Sequence, residues 1–173
     1  MNALLAVVVL AACSPSEDPH TVELNSSAME SAIRDGAVLT VDPGAYDTAS
    51  VERFDIILYR QTAQDGSVSE YVHRVLGLEG EAFAYNGFDH LVIFDQQVDQ
   101  PLTVKRPTDW IGQLTIPEGH VFVMGDNRSA SLDEDSRTFG PIDESDVIGK
   151  VISFGSRDWV GRTGGTISAL VGA

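Results

Sequence analysis

The chain has 173 residues, of which 43% are apolar, and its formal net charge at pH 7 is −15. This length fits one domain with a hydrophobic core, and the apolar content excludes an intrinsically disordered chain. The acidic excess excludes nucleic acid as a partner, because a phosphate backbone requires a basic surface. The sequence contains no metal-ligand spacing, phosphate-binding loop or dinucleotide fingerprint, so we expect no metal and no cofactor.

Residues 1–12 contain a short apolar stretch that predicts an export signal. The stretch is far shorter than the roughly 20 residues that a membrane-spanning helix needs. It ends in a Leu-Ala-Ala triplet before Cys13, and this arrangement resembles a bacterial lipobox, in which the cysteine is lipidated after cleavage. We therefore predict an exported protein that is tethered to a membrane on its periplasmic or extracytoplasmic side, by acyl chains on Cys13 or by the N-terminal apolar segment itself. The polar residues 13–23 predict a linker.

Short β-rich segments separated by turn residues follow the linker. Residues 64–67 predict a hairpin turn, residues 29–33 predict one helical turn, and residues 86–115 are short and loop-like. The pattern favours an all-β, mainly antiparallel domain of folded sheets or barrel-like form with few short helices, over residues 24–160. Residues 161–173 predict a loose C-terminal tail. The strands are predicted at residues 37–41, 54–59, 68–78, 90–94, 121–124 and 147–154.

The segment from residue 119 to residue 140 carries most of the candidate chemistry. An apolar run ending at Met124 is followed by a Gly-Asp-Asn-Arg turn, and then by hydroxyls, carboxylates and a second arginine, Arg137. A strand that delivers polar groups to a loop is a common way to build a site on a rigid scaffold. This segment is therefore the first place to expect a functional site.

Four blocks, in order along the chain, resemble motifs of the type I signal peptidases. Residues 119–140 resemble the family's Gly-Asp-Asn-Arg-x-x-Ser-x-Asp-Ser-Arg motif, and residues 26–33 its Ser-x-Ser-Met-x-Pro-Thr-Leu element. Residues 51–57 are similar to its Arg-Gly-Asp-Ile-Val run, and residues 71–81 to its Lys-Arg-Val-Ile-Gly-Leu-Pro-Gly-Asp block. The resemblance implies a signal peptidase domain, a serine endopeptidase activity on signal peptides of exported proteins, and an extended peptide as the partner.

The nucleophile position of that family is occupied by Ala28. In the family a serine directly before the methionine attacks the peptide bond, whereas Ala28 precedes Met29 here. Alanine has no Oγ, so the usual acyl-enzyme cannot form at this position. Loss of a nucleophile that acts with its base removes about 10⁶ in turnover.

His73 stands where the resemblance places the basic lysine, and the eukaryotic members of the family also have histidine there. An unperturbed histidine titrates at about 6.5, so it is a competent base near pH 7 without the burial that a lysine requires. We therefore expect His73 at the position of the general base.

Ser26 matches the family's serine that helps to bind the oxyanion. On an extended backbone, residues two apart share a face, so Ser26 and Ala28 are expected to point one way and Ser27 the other. If a serine replaces the missing nucleophile, spacing favours Ser26 and sequence proximity favours Ser27.

The resemblance also assigns supporting roles around the turn. It implies that Ser131 orients the base and that Arg128 is the arginine of the turn. The chain is two residues longer than the motif ahead of Arg137, so either Asp133 or Asp135 holds the place of the family's aspartate. The full supporting set is Arg74, Asp126, Asn127, Arg128, Asp133, Asp135, Ser136 and Arg137.

Two functions are consistent with these residues. The first is a membrane-tethered serine endopeptidase with His73 as base and Ser26 or Ser27 as an unconventional nucleophile. The second is an inactive homologue that binds extended peptides by strand addition, which needs no catalytic serine. The missing hydroxyl at Ala28 favours the second. A third alternative, the self-cleaving repressors, conflicts with the exported N-terminus and the Gly-Asp-Asn-Arg block.

Overall fold

The computed structural model describes residues 18–30, 32–86, 90–100, 111–128 and 135–156, and over these ranges the regular secondary structure is mostly β-strand. It contains one short helix, α1 (Ser136–Phe139), and two 3₁₀ turns at Pro43–Tyr46 and Glu144–Asp146. The strands are β1 (His20–Glu23), β2 (Val38–Asp42), β3 (Ile56–Thr62), β4 (Val68–Gly77), β5 (Ala82–Asn86), β6 (His90–Ile93), β7 (Gln96–Val98), β8 (Ile111–Thr115), β9 (His120–Met124), β10 (Ile142–Asp143) and β11 (Val147–Gly155).

The strands form two open antiparallel sheets. The main sheet has the order β1-β2-β11-β3-β4-β9-β10, and the smaller sheet has the order β7-β6-β5-β8. Every strand pair in the described ranges is antiparallel. The prediction of a mainly antiparallel all-β domain of folded sheets is confirmed, and neither sheet closes into a barrel.

The β3–β4 hairpin turns where the sequence predicts it. The Asp65 carboxylate accepts the Ser67 backbone N–H at 2.9 Å, and Gly66 has a φ of 83°. An aspartate that hydrogen-bonds its own backbone two residues on, followed by a glycine with positive φ, is a turn-forming combination. The turn sets the register that places Tyr59 opposite Tyr71 and Ile57 opposite His73.

The prediction that residues 86–115 are loop-like was wrong for the described part of that segment. Strands β6, β7 and β8 lie in it, and of these only β6 coincides with a predicted strand, at residues 90–94. β6 and β8 pair with β5, and β7 pairs with β6, to form the smaller sheet. Their apolar side chains, such as the fully buried Leu91, pack in one cluster with residues of the main sheet. In that cluster the rings of Phe83 and Phe122 stack with centroids 4.3 Å apart, which joins the two sheets.

The centre of the main sheet is buried on both faces. Successive side chains of a strand point to opposite faces, and Ile57 and Leu58 belong to different hydrophobic clusters. The cluster around Leu58 is covered by Met29 and Ile33, which are both almost completely buried. The Ile33 N–H donates to the Met29 carbonyl at 2.8 Å, which confirms the predicted helical turn at residues 29–33. The turn therefore holds residue 28 against the central strands.

Phe54 has a left-handed backbone conformation, with a φ of 73°. It occupies the glycine position of the Arg-Gly-Asp run, and an L side chain in this conformation costs about 1–2 kcal/mol. Its N–H donates to the Val75 carbonyl at 2.8 Å, and its carbonyl accepts Nη1 of Arg74 at 2.9 Å. Its ring packs against the cluster between the sheets. Packing and hydrogen bonds therefore hold a strained residue directly beside β4.

In the described ranges, none of the helices has the length and apolar character that crossing a membrane would require. Residues 1–12, Cys13 and residues 161–173 lie outside those ranges. The export signal, the lipidation and the C-terminal tail therefore stay predictions.

We expect Phe54→Gly to be more stable than Phe54→Ala by about 1 kcal/mol, because both variants lose the ring but only glycine relieves the positive φ. Urea denaturation of the two variants measures the difference. Equal stability of the two would contradict the strain at this residue.

Candidate active site

A buried ion pair fixes the turn that follows β9. Arg74 donates from Nε to Oδ1 of Asp126 at 2.9 Å and from Nη2 to Oδ2 at 2.7 Å. The Asp126 side chain has no exposed area, and that of Arg74 is 10% exposed. Arg74 lies opposite Met124 in the β4–β9 ladder, so the pair joins β4 to the turn at the point where β9 ends.

Asn127 connects the same turn to residues 27 and 28. Its backbone N–H donates to the Ala28 carbonyl at 2.8 Å, and its side-chain Nδ2 donates to the Ser27 carbonyl at 3.1 Å. Asp126 and Asn127 are adjacent, so one turn holds both β4, which carries His73, and the segment that carries Ala28. The two halves of the site predicted from the sequence are thus connected through this turn.

Ala28 is buried, with 5% of its surface exposed, and lies in a turn rather than in an extended segment. The argument that Ser26 and Ala28 share a face assumed an extended backbone, so its premise was wrong. The Ala28 N–H nevertheless donates to Oγ of Ser26 at 3.1 Å, while Ser27 is exposed. The backbone N–H at the nucleophile position is therefore bonded to the Ser26 hydroxyl.

His73 is buried among aromatic side chains, with 1% of its surface exposed. Its Nδ1 and the Tyr59 hydroxyl form a hydrogen bond of 2.9 Å. The Tyr71 ring stacks near-parallel to the imidazole, with centroids 6.1 Å apart and an interplanar angle of 15°. The ring is thus held in one plane and almost wholly shielded from water.

The pKa of His73 is lowered to about 4, chiefly by burial; the carboxylates of Asp135 and Asp126 oppose the shift, and Arg137 acts in the same direction as burial. A charged imidazolium is disfavoured in a dry environment. The expectation that His73 is a competent base near pH 7 used the unperturbed pKa, and the burial of the ring changes that value. His73 is neutral at pH 7 and a weak base.

Asp135 is the carboxylate beside Arg137. Its Oδ2 accepts Nη2 of Arg137 at 2.8 Å, and its Oδ1 accepts the Arg137 backbone N–H at 3.0 Å as the N-cap of α1. Its Oδ2 also accepts the Gly125 N–H at 3.2 Å, and the neighbouring Ser136 Oγ accepts the Val123 N–H at 2.9 Å. These bonds fasten α1 to the end of β9. Ser131 and Asp133 lie outside the described residues.

Arg128 contacts the smaller sheet. Its Nη2 donates to Oε1 of Gln100 at 2.7 Å, and its guanidinium lies 5.1 Å from the centroid of the Tyr85 ring. Its carbonyl accepts Nη1 of Arg137 at 3.0 Å. Arg128 therefore joins the turn to the smaller sheet.

A cleft of about 390 Å³ opens between residues 22–26 on one side and residues 69–73 on the other, with Leu58 between them. Ser26 and His73 both line it. β3 pairs with β4 from Val68 to Arg74, but β9 pairs with β4 only from Arg74 to Gly77. Over the described ranges, the first half of β4 therefore has one edge without a partner strand. Such an edge beside a cleft can accept an extended peptide as an added strand.

Sequence reasoning missed two aromatic residues of the site. Tyr71 lies two residues before His73 on a predicted strand, so the period of a strand could have placed it beside the histidine. Tyr59 is 14 residues away from His73 in the sequence and meets it only through the β3–β4 pairing. Only the register of that hairpin identifies Tyr59 as a partner.

We expect Arg74→Met to destabilise the fold by about 3 kcal/mol, because it leaves the Asp126 carboxylate buried without its counter-charge. Arg60→Met is the matched control, since the Arg60–Glu70 pair is exposed and long, at 3.5 Å. We expect this control to change stability by less than about 0.5 kcal/mol. Chemical denaturation at pH 7 measures both, and equal losses would contradict the role of the buried pair.

The lowered pKa of His73 predicts a pH-dependent stability. The folded protein releases its proton at about 4, whereas the unfolded chain binds one below about 6.5. Stability is therefore unaffected above 6.5 and falls as the pH drops toward 4, by about 2 kcal/mol between pH 7 and pH 5. Denaturation at both pH values measures this loss, and subtracting the same difference for His73→Phe removes the contribution of the carboxylates. An unchanged difference in His73→Phe would contradict the assignment.

Comparison with known proteins agrees with the motifs. The profile of the family described as "Signal peptidase, peptidase S26" matches residues 1–154. The chain is 31% identical over 145 residues to signal peptidase I of Bacillus caldolyticus, which covers 74% of each chain. It is 29% identical over 151 residues to signal peptidase IB of Staphylococcus aureus (strain COL), which covers 77% of this chain and 74% of that protein.

Among solved structures, the crystal structure of a signal peptidase I from Enterococcus faecalis V583 matches with a TM-score of 0.48 and 28% identity, over 60% of this chain and 97% of that chain. The family profile covers most of the sequence, including all the motif blocks. The two signal peptidases named above, at 31% and 29% identity, are each matched over 74% of their length. The chain therefore belongs to the signal peptidase I family.

Proposed function

We propose that this signal peptidase I-like protein binds an extended peptide in the cleft between residues 22–26 and β4. We propose further that Ala28, at the nucleophile position, does not attack the bound peptide. The observation that carries the proposal is Ala28. Ala28 stands directly before Met29, where the family motif has its nucleophile, and Asn127 and Ser26 hold its backbone. A peptide added to the edge of β4 is held by backbone hydrogen bonds, which do not depend on that hydroxyl.

The environment of His73 supports binding over hydrolysis. A lysine starts from a pKa of about 10.4, and burial brings it down toward neutrality, where it can act as a base. A histidine starts at about 6.5, and burial at this position takes its pKa to about 4. A pocket that would make a lysine useful thus makes a histidine a poor proton acceptor.

The related proteins supply the class of peptide. Their names describe signal peptidases, so the occupant proposed for this cleft is a signal-peptide-like segment in extended conformation, with small, alanine-like side chains next to residue 28. The N-terminal prediction adds a membrane tether and an extracytoplasmic location, where exported precursors emerge.

A second candidate function is hydrolysis by a relocated nucleophile. It is favoured by one observation, which is that Ser26 lines the same cleft as His73. Against it, the Ser26 Oγ already accepts the Ala28 N–H. Ser27 is exposed, and its carbonyl is held by Asn127.

The experiment compares the protein with Ala28→Ser, using a peptide with an Ala-x-Ala cleavage sequence in detergent. We expect the unmodified protein to bind the peptide with micromolar affinity by calorimetry and to show no turnover. We expect Ala28→Ser to show slow turnover, because it restores the attacking oxygen while His73 remains a weak base.

Two further variants separate the candidates. Turnover by the unmodified protein that disappears in Ser26→Ala, but not in Ser27→Ala, would establish the relocated nucleophile and overturn the non-hydrolytic proposal. Absence of any binding heat at high peptide concentration would contradict both functions.

A further inference from the structure

We propose that His73 serves as a hydrogen-bond donor to the bound peptide, offering Nε2–H to a backbone carbonyl, with its tautomer fixed by the Tyr59 hydroxyl. This inference rests on the proposed peptide-binding function and gives the histidine a role in that function other than proton acceptance.

The chemistry of the Tyr59–His73 hydrogen bond sets its direction. The Tyr59 oxygen and His73 Nδ1 are 2.9 Å apart in a buried environment. A phenol is a stronger donor than a neutral imidazole N–H, and an imidazole nitrogen is a stronger acceptor than a phenol oxygen. Tyr59 therefore donates and Nδ1 accepts.

Neutrality then places the remaining proton. With 1% of its surface exposed, the ring is held in its uncharged form, which carries one N–H. If Nδ1 accepts from Tyr59, that N–H is at Nε2. In the part of the chain that the structure describes, Tyr59 is the hydrogen-bond partner of the ring.

His73 lies beside the proposed peptide site. His73 lines the cleft together with residues 22–26, and it ends the half of β4 that lacks a second partner strand. An extended peptide at that edge presents a carbonyl at every residue, and a fixed donor beside it adds one hydrogen bond to the strand pairing. The near-parallel Tyr71 ring keeps the imidazole in one plane, so the donor is already oriented before the peptide binds.

The first measurement is long-range ¹H–¹⁵N NMR of the protein labelled at histidine, at pH 7, with the His73 signals assigned by their loss in His73→Phe. We expect the Nε2–H tautomer in the free protein and a changed Nε2–H shift when an Ala-x-Ala peptide is added. In Tyr59→Phe we expect a mixture of tautomers. An Nδ1–H tautomer in the unmodified protein would overturn the inference.

The second measurement is peptide affinity. We expect His73→Phe, which keeps the ring volume, to weaken binding by about tenfold, because one hydrogen bond worth about 1.4 kcal/mol is lost. His120→Phe is the control, since His120 is half-exposed and does not line the cleft, and we expect unchanged affinity. Binding that is unchanged in His73→Phe would overturn the peptide contact while leaving peptide binding itself intact. If the unmodified protein binds no peptide, the proposed function fails, and the tautomer in the free protein still decides the direction of the Tyr59 bond.

Discussion

The bidentate ion pair between Arg74 and Asp126 is the interaction on which the site depends. It is buried at the end of the β4–β9 ladder, where the sheet stops and the chain turns. Asp126 holds this turn to β4, and its neighbour Asn127 holds the turn to residues 27 and 28. A single peptide unit therefore couples the strand that carries His73 to the segment that carries Ala28. Arg74 also donates from Nη1 to the carbonyl of Phe54, the residue with the strained backbone. The segment that leads into β3 is therefore part of the same network.

This network explains how the scaffold can carry alanine at residue 28 without losing its shape. The bonds that position residue 28 come from its backbone and from that of Ser27, and they do not involve the side chain of residue 28. A serine-to-alanine difference at this position therefore removes a hydroxyl on which none of these bonds depends. The shape of the cleft is likewise independent of the side chain at residue 28. The cleft lies beside the unpaired edge of β4, and that edge begins where β9 stops pairing with β4.

The sequence predicted the sheet and most of the site positions, because those depend on local patterns. Alternation and turn residues located β2, β3, β4, β9 and β11, and the motif blocks identified Ala28, His73 and the Asp126–Asn127 turn. Of the smaller sheet, only β6 was predicted, as the strand at residues 90–94. The other strands of that sheet were missed, because they are short and the sheet packs on Phe122 of the main sheet. The Tyr59–His73 contact was missed because it depends on the register between β3 and β4, which brings together residues that are distant in the sequence.

The local sequence pattern also did not predict that the His73 side chain is buried. A histidine on a strand can face water or the core, and the two positions differ in pKa by the desolvation of one ring. The rings next to His73 are Tyr59 of β3 and Tyr71 of β4, and Phe139 of α1 packs on Tyr71. The basicity of His73 therefore depends on tertiary packing. For this chain, the basicity at the motif position is therefore determined more by the surroundings of residue 73 than by its residue type.

The way in which α1 is fastened has a consequence for how this family can vary in length. Asp135, Ser136 and Arg137 lie within one helical turn, and Asp135 and Ser136 each accept a backbone N–H of the β9 end. The spacing between aspartate and arginine is thus set by helix geometry and does not depend on the number of residues that precede Asp135. Lengthening a chain connection costs a few tenths of a kcal/mol in closure entropy. Insertions ahead of Asp135 can therefore accumulate in evolution with little effect on the ion pair, whereas one between Asp126 and Asn127 would separate the two halves of the site.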